Sequence, residues 1–108
     1  MANYLLLYSG GSMPQTEAEQ QAVMKDWENW YNSMGGAVVD PGNPFTPIAR
    51  TVSSSGQISN GANSTMASGY TILKADSLDA AAGMAKSCPV LKSGGDVTVY
   101  ETFNVMGG

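Results

Sequence analysis

Tyr4-Leu5-Leu6-Leu7-Tyr8, a helix-period stretch over residues 16–34, and Ala37-Val38-Val39 make one strand-helix-strand pattern; Tyr70-Thr71-Ile72-Leu73, a second helix-period stretch over residues 77–87, and Val97-Thr98-Val99-Tyr100 make another. Side chains alternate across a strand, so Tyr4, Leu6 and Tyr8 share one face of the first strand while Leu5 and Leu7 occupy the other. Both faces are apolar. A sheet with helices on one side needs a second apolar face only if something else covers it. The simplest cover is a second copy of the chain, and a homodimer is therefore expected.

Two such units predict an α+β fold of the ferredoxin-like kind, a split βαβ sandwich with an antiparallel sheet and two helices on one face. The first helix opens on a capping box, Thr16 with Glu19 three residues later. Val23, Trp27, Trp30 and Met34 then recur on one stripe that should face the sheet, and Gly35 is placed to end the helix. Asp40-Pro41-Gly42-Asn43-Pro44 cannot continue a central strand and reads as a stiff, shaped loop. Arg50-Thr51-Val52-Ser53 and Gln57-Ile58-Ser59, separated by Ser54-Ser55-Gly56, read as a hairpin, and residues 60–67 as a polar, mobile loop. Ser77 or Asp76 caps the second helix, whose thin apolar face is Leu78, Ala81, Ala82 and Ala85, and Pro89 stops it. The last strand is expected over residues 96–103, with a frayed tail over 104–108.

At 108 residues the chain is read as one domain, 1–108, large enough for a core without disulfide or metal staples. Charged residues make up only 13% and the net charge is −4, with Lys25, Arg50, Lys74, Lys86 and Lys92 dispersed. No basic stripe exists to neutralise a phosphate backbone, so nucleic acid is not an expected partner. Cys88 is the single cysteine, which excludes an intrachain disulfide. The 5–7 leucine run is too short for a signal peptide or membrane span, so a cytoplasmic location without membrane association is expected. Asn63-Ser64-Thr65 matches a glycosylation acceptor and is read as a chance match in a polar loop.

These residues together resemble the YCII-related family, in particular its DGPF-type branch. The similarity runs through Asn3-Tyr4-Leu5-Leu6-Leu7-Tyr8, Met13-Pro14, the Trp-rich helix closing in Gly35-Gly36, and Val38-Val39-Asp40-Pro41-Gly42-Asn43-Pro44. It continues through Gly69-Tyr70, Lys74-Ala75-Asp76-Ser77-Leu78-Asp79-Ala80-Ala81 and Ala85-Lys86-Ser87-Cys88-Pro89. The resemblance implies a ferredoxin-like fold assembled as a dimeric α+β barrel. Two features depart from it. Asn60-Gly61-Ala62-Asn63 stands where the Asp-Gly-Pro-Phe motif is expected, and the chain has no histidine, so the His-Asp pair proposed for acid-base chemistry in some members has no counterpart here.

Without histidine and with one cysteine, transition-metal ligand sets and Ser-His-Asp or Cys-His arrangements cannot be assembled, and no run has the spacing of a calcium loop. No metal and no cofactor are expected. Cys88 at a helix C-terminus reads as a buried structural thiol rather than a nucleophile. Gly10-Gly11 reads as a turn, because Glu17 and Glu19 already place negative charge where a phosphate would sit. Trp27, Trp30 and Tyr31 read chiefly as core.

Tyr8, Tyr70 and Tyr100 lie on strands, and those facing away from the helices would line a cleft between sheet and partner. Asp40 ends a strand inside the rigid turn and is the candidate acid-base group, weighed against a plain turn residue; Asn43 would supply a second polar contact. Glu101 joins the candidate ligand-binding residues. If it shares a face with Val97 and Val99 it needs a partner, for which Arg50 is the candidate. Three functions remain open at this point: a small-molecule binding module, a cofactor-independent enzyme of monooxygenase or isomerase type acting on a small aromatic or carbonyl compound through Asp40, and an accessory module that recognises another protein.

Overall fold

Tyr4, Leu6 and Tyr8 are buried while Leu5 and Leu7 between them are only half-buried, and this alternation fixes the layers of the protein. The computed structural model describes residues 2–12, 14–62 and 66–104. The glycosylation-like triplet and all but the first residue of the expected frayed tail lie outside the described residues.

The chain runs β1 (Ala2–Ser9), α1 (Glu17–Met34), a 3-10 turn (Gly35–Ala37), β2 (Val38–Asp40), β3 (Arg50–Val52), β4 (Ile58–Asn60), β5 (Ala67–Ala75), α2 (Leu78–Ala85), a second 3-10 turn (Pro89–Ser93) and β6 (Asp96–Glu101). The fold is α+β. A four-stranded sheet, antiparallel at every neighbour, has the order β2-β5-β1-β6, and β3 and β4 form a separate two-stranded arm. The four-stranded sheet is open and does not close into a barrel within the chain.

Register assigns the faces. Tyr4 pairs with Leu73 and Glu101, Leu6 with Thr71 and Val99, and Tyr8 with Gly69 and Val97, so these residues point one way. Trp30 of α1 and Ala81 and Ala85 of α2 complete the same core, which puts both helices on that face. The Trp30 indole N–H donates to the Met84 carbonyl at 3.1 Å, satisfying one of the carbonyls that α2 leaves unpaired at its end. Leu5, Leu7, Tyr70, Ile72 and Tyr100 face the other way.

Both helix starts match the expectation from sequence. Thr16 Oγ1 accepts from the Glu19 N–H at 3.1 Å and Ser77 Oγ from the Ala80 N–H at 3.0 Å, while the Glu19 carboxylate accepts from the Gln15 N–H at 2.8 Å, one residue before the cap. Other boundaries moved. The turn at Gly35–Ala37 delays β2 by one residue, so Asp40 belongs to the strand, and β6 ends at Glu101, with the Thr102 N–H and hydroxyl both donating to the Asn3 carbonyl at 3.1 and 2.7 Å. Residues 17–25 of α1 are exposed throughout, Val23 included, because this half of the helix overhangs the core. Leu78 and Ala82 are exposed as well; α2 buries Ala81 and Ala85, one turn apart, with Met84 partly buried against the same core.

The described protein measures 44 × 39 × 20 Å. The short dimension is the depth of one sheet and one helix layer, so the arm lies beside the sheet and not over it. A radius of gyration of 15.3 Å exceeds the roughly 13 Å of a compact chain of this length.

Candidate functional site

Between Val38, paired with Leu73, and Asp40, paired with Ile72, β2 carries a bulge. A bulge re-aims the side chain that follows it. Asp40 therefore stands on the helix-free face beside Tyr70. Its Oδ1 accepts from the Gly42 N–H at 2.9 Å and its Oδ2 from the Tyr70 hydroxyl at 3.2 Å. The carboxylate therefore closes its own turn, the plain-turn role weighed from the sequence, and it also accepts from a phenol on the open face; neither bond bears on the acid-base role.

Two glycines let the loop run this close to β5. Gly42 has φ +72°, and a Cβ there would overlap the Tyr70 carbonyl oxygen; a Cβ on the buried Gly69 would stand 3.2 Å from the Asn43 carbonyl oxygen. Pro44 then bridges to Gly69, and the Phe45 N–H donates to the Ser68 carbonyl at 2.8 Å. This places the Phe45 ring 5.9 Å from that of Tyr70, tilted by 33°. Phe45 is 44% exposed.

A buried network holds the loop from the helix side. The Pro41 carbonyl accepts from Thr71 Oγ1 at 2.9 Å and from the Tyr31 hydroxyl at 3.1 Å, and Thr71 Oγ1 accepts in turn from the Tyr8 hydroxyl at 2.6 Å. Thr71 is fully buried, so its bonds to Tyr8 and Pro41 answer a hydroxyl that water cannot reach, while the Tyr31–Pro41 bond lies at the exposed rim. Burial raises the pKa of Tyr8 and Tyr31, against the opposing influence of the Thr71 hydroxyl. The Cys88 thiol is raised by burial too, against lowering by the Val90 backbone and the Tyr8 hydroxyl. It is a structural thiol, 1% exposed.

Of the three strand tyrosines expected to line a cleft, Tyr70 and Tyr100 lie on the open face. Tyr8 does not: it faces the helices, 5% exposed, with its ring edge-on to Trp27 at 5.4 Å. Its role is to hold the loop from beneath. Asp40, Ile72, Leu5 and Tyr100 form one cross-strand row, which sets Asp40 and Tyr100 about 14 Å apart, three strand spacings. Asn43 is exposed.

The register, which the sequence left open, puts Glu101 on the face of Val97 and Val99, but at the exposed end of the sheet. Arg50 is not its partner; the Arg50 guanidinium donates to the Ala49 carbonyl at 2.8 Å. Glu101 instead helps to raise the Tyr4 phenol, after burial, and lines a cleft of about 470 Å³ with Ala2, Asn3, Thr102, Phe103 and Asn104. That cleft is on the β6 edge, across the sheet from Asp40. The Asp40–Tyr70 pair lies on an open surface, not in a cavity of the single chain.

Tyr70 is raised chiefly by its hydrogen bond to Asp40, then by the charge of that carboxylate and by burial. Its hydroxyl therefore keeps its proton at neutral pH. Sequence reasoning missed Phe45 and Thr71 as parts of the site, whereas Gly42 falls within the turn that the sequence already marks as rigid. The one available signal was Thr71, a polar residue among apolar neighbours on the buried strand face.

Among the described residues there is no group of three or more His, Cys, Asp or Glu that could hold a metal ion, and no helix is long and apolar enough to cross a membrane. The geometry defines a two-layer α+β protein whose uncovered sheet face carries a carboxylate–phenol pair beside an exposed aromatic ring. None of the protein-family models matches the chain, and no curated protein matches it.

Proposed function

We propose that the chain is a ferredoxin-like, YCII-related protein that works in the cytoplasm as a homodimer and binds a small molecule between its open sheet face and the partner subunit. The order β2-β5-β1-β6, with α1 and α2 as crossovers on one face, supports the ferredoxin-like reading. A single buried thiol suits a reducing compartment.

The carrying observation is the uncovered face itself. Leu5, Leu7, Tyr70 and Ile72 are half-buried and Tyr100 is 49% exposed, with Asp40 at one end of the row. The arm adds to the need for cover. Val52 and Ile58 are cross-strand partners on one side of it, 62% and 67% exposed, and Ile48 before it is 77% exposed. Burying such a side chain is worth about 1.5 to 3 kcal/mol. A second copy supplies the missing layer and turns an open surface into a cleft.

Light scattering at micromolar concentration should give twice the 11.2 kDa chain mass. A thermal-shift screen of small aromatic compounds then tests the cleft, with Ile72→Asp as the blocking variant. A monomer that binds nothing ends the reading. The enzyme alternative, with Asp40 as acid-base group, draws on its hydrogen bond to Tyr70, and turnover of a screening hit that is lost in Asp40→Asn would favour it.

A further inference from the structure

The polar groups around Asp40 are not neutral in what they would recognise. A carboxylate only accepts hydrogen bonds. The Gly42 N–H and the Tyr70 hydroxyl proton, the two donors beside it, are already spent on Oδ1 and Oδ2. What remains for a ligand is the unused acceptor capacity of the carboxylate and the lone pair of the phenol.

Charge points the same way. Among the described residues the ion pair that forms is Lys92–Asp26, at 3.5 Å, far along the chain from this loop. Lys74 shares the open face one row away on β5 and makes no ion pair with Asp40, and Arg50 is turned to the Ala49 carbonyl. An anionic ligand beside Tyr70 would meet an Asp40 that no ion pair neutralises, with Lys74 one row off on the other side of Ile72, in a chain of net charge −4.

The remaining wall is aromatic. Phe45 and Tyr70 tilt toward each other at 5.9 Å with Phe45 44% exposed and Tyr70 half-buried. A carboxylate outside any ion pair, beside uncovered ring surface, is the chemistry that holds an ammonium group, through a charge-assisted hydrogen bond and the ring quadrupole.

We propose that the Asp40–Tyr70–Phe45 site takes a small organic amine in its cationic form, with the ammonium on Asp40 and its hydrocarbon portion along Phe45 and the Ile72–Leu5 row. The inference rests on the reading of the open face as a small-molecule site and narrows it to one class of ligand. It disfavours carboxylate ligands outright, and a carbonyl ligand would have to take the Tyr70 proton away from Asp40.

Titration calorimetry on the full chain with three compounds of matched size tests this: 2-phenylethylamine, 2-phenylethanol and 3-phenylpropionate. The amine should bind at least tenfold tighter than the alcohol, the acid should not bind, and added salt should weaken the amine. Asp40→Asn should cost the amine tenfold or more. Phe45→Leu, at an exposed position that the fold does not need, should weaken it several-fold with unchanged melting. Equal binding of the alcohol, preference for the acid, or amine binding indifferent to both substitutions would overturn the proposal while leaving the cleft in place. Failure of all three compounds at millimolar concentration overturns it as well, and light scattering then shows separately whether the dimer survives.

Discussion

Gly42→Ala and Gly56→Ala place the same side chain at two left-handed positions, φ +72° and +86°, with opposite surroundings. At Gly56 nothing lies within 4 Å of the added Cβ. The cost there is the backbone conformation alone, about 1 to 2 kcal/mol, or less if the arm frays by itself. At Gly42 the Cβ overlaps the Tyr70 carbonyl oxygen and stands 2.7 Å from the carbonyl carbon, both backbone atoms of β5. The loop must then retreat by about 1 Å or more to reach van der Waals separation. Retreat strains the Gly42 N–H bond to the Asp40 carboxylate and the Thr71 bond to the Pro41 carbonyl, and Thr71 is buried with no water to replace its partner. Losing a hydrogen bond to a charged group costs about 1.5 to 3 kcal/mol, and a neutral one about 1. The expected totals are about 4 kcal/mol for Gly42→Ala and about 1.5 kcal/mol for Gly56→Ala. With a urea m-value of about 1.5 kcal/mol/M, the midpoints should fall by about 2.7 M and about 1 M. Chain concentration must be held fixed, because the stability of the proposed dimer would depend on it. Equal shifts in the two variants would refute the close approach of loop and strand, and with it the account of how Asp40 is aimed.

Tyr8→Phe should lower stability by about 1 kcal/mol, read as a melting point about 4 to 8 °C lower, because it removes the donor to a buried hydroxyl. Tyr8 also predicts an alkaline limit: burial lifts its folded-state pKa above the ordinary phenol value of about 10, so its contribution is whole below that pH and lost above it, at about 1.4 kcal/mol per pH unit. Denaturation between about pH 9 and 11.5 should be less steep in Tyr8→Phe by that slope, and identical slopes would contradict the burial assigned to this phenol. Ser77→Ala should cost about 1 kcal/mol globally, whereas Thr16→Ala, at the exposed half of α1, should chiefly speed hydrogen exchange over residues 17–25. Ile58→Lys on the arm should shift light scattering toward the monomer with an unchanged far-UV spectrum, and a dimer as tight as the parent would remove the arm from the interface.

The element order was legible because period-2 and period-3.6 patterns alternate cleanly and the caps Thr16 and Ser77 carry their own chemistry. Places where the pattern misled share one cause, the finite size of the core. Val23 continues the stripe of Trp27 and Trp30, yet periodicity gives the direction of a side chain and not whether a neighbour waits there. Leu78 and Ala82 fail likewise: an eight-residue helix closes on the core through Ala81 and Ala85, with Met84 beside them. Ends of strands are set by distant partners, as when β6 stops at Glu101, opposite Tyr4 near the start of β1.

The site was half legible for a related reason. Asp40-Pro41-Gly42-Asn43-Pro44 announces a rigid turn in sequence, but which face its carboxylate serves depends on the bulge before it. Tyr8 shows the difficulty from the other side. Both faces of β1 are apolar, so alternation divides Tyr4, Leu6 and Tyr8 from Leu5 and Leu7 without saying which set meets the helices. The decision falls to polar satisfaction. A phenol under Trp27 needs a buried partner, and Thr71 provides one because the Tyr8-to-Gly69 and Leu6-to-Thr71 register puts its hydroxyl within 2.6 Å. Thr71 has one proton to give and gives it to Pro41, where Tyr31 donates as well. The loop is thereby held by a buried network below and by Asp40 and Tyr70 above. That two-sided anchoring fixes the outward side of the carboxylate in place, so the ligand proposed above would pay little ordering cost on binding.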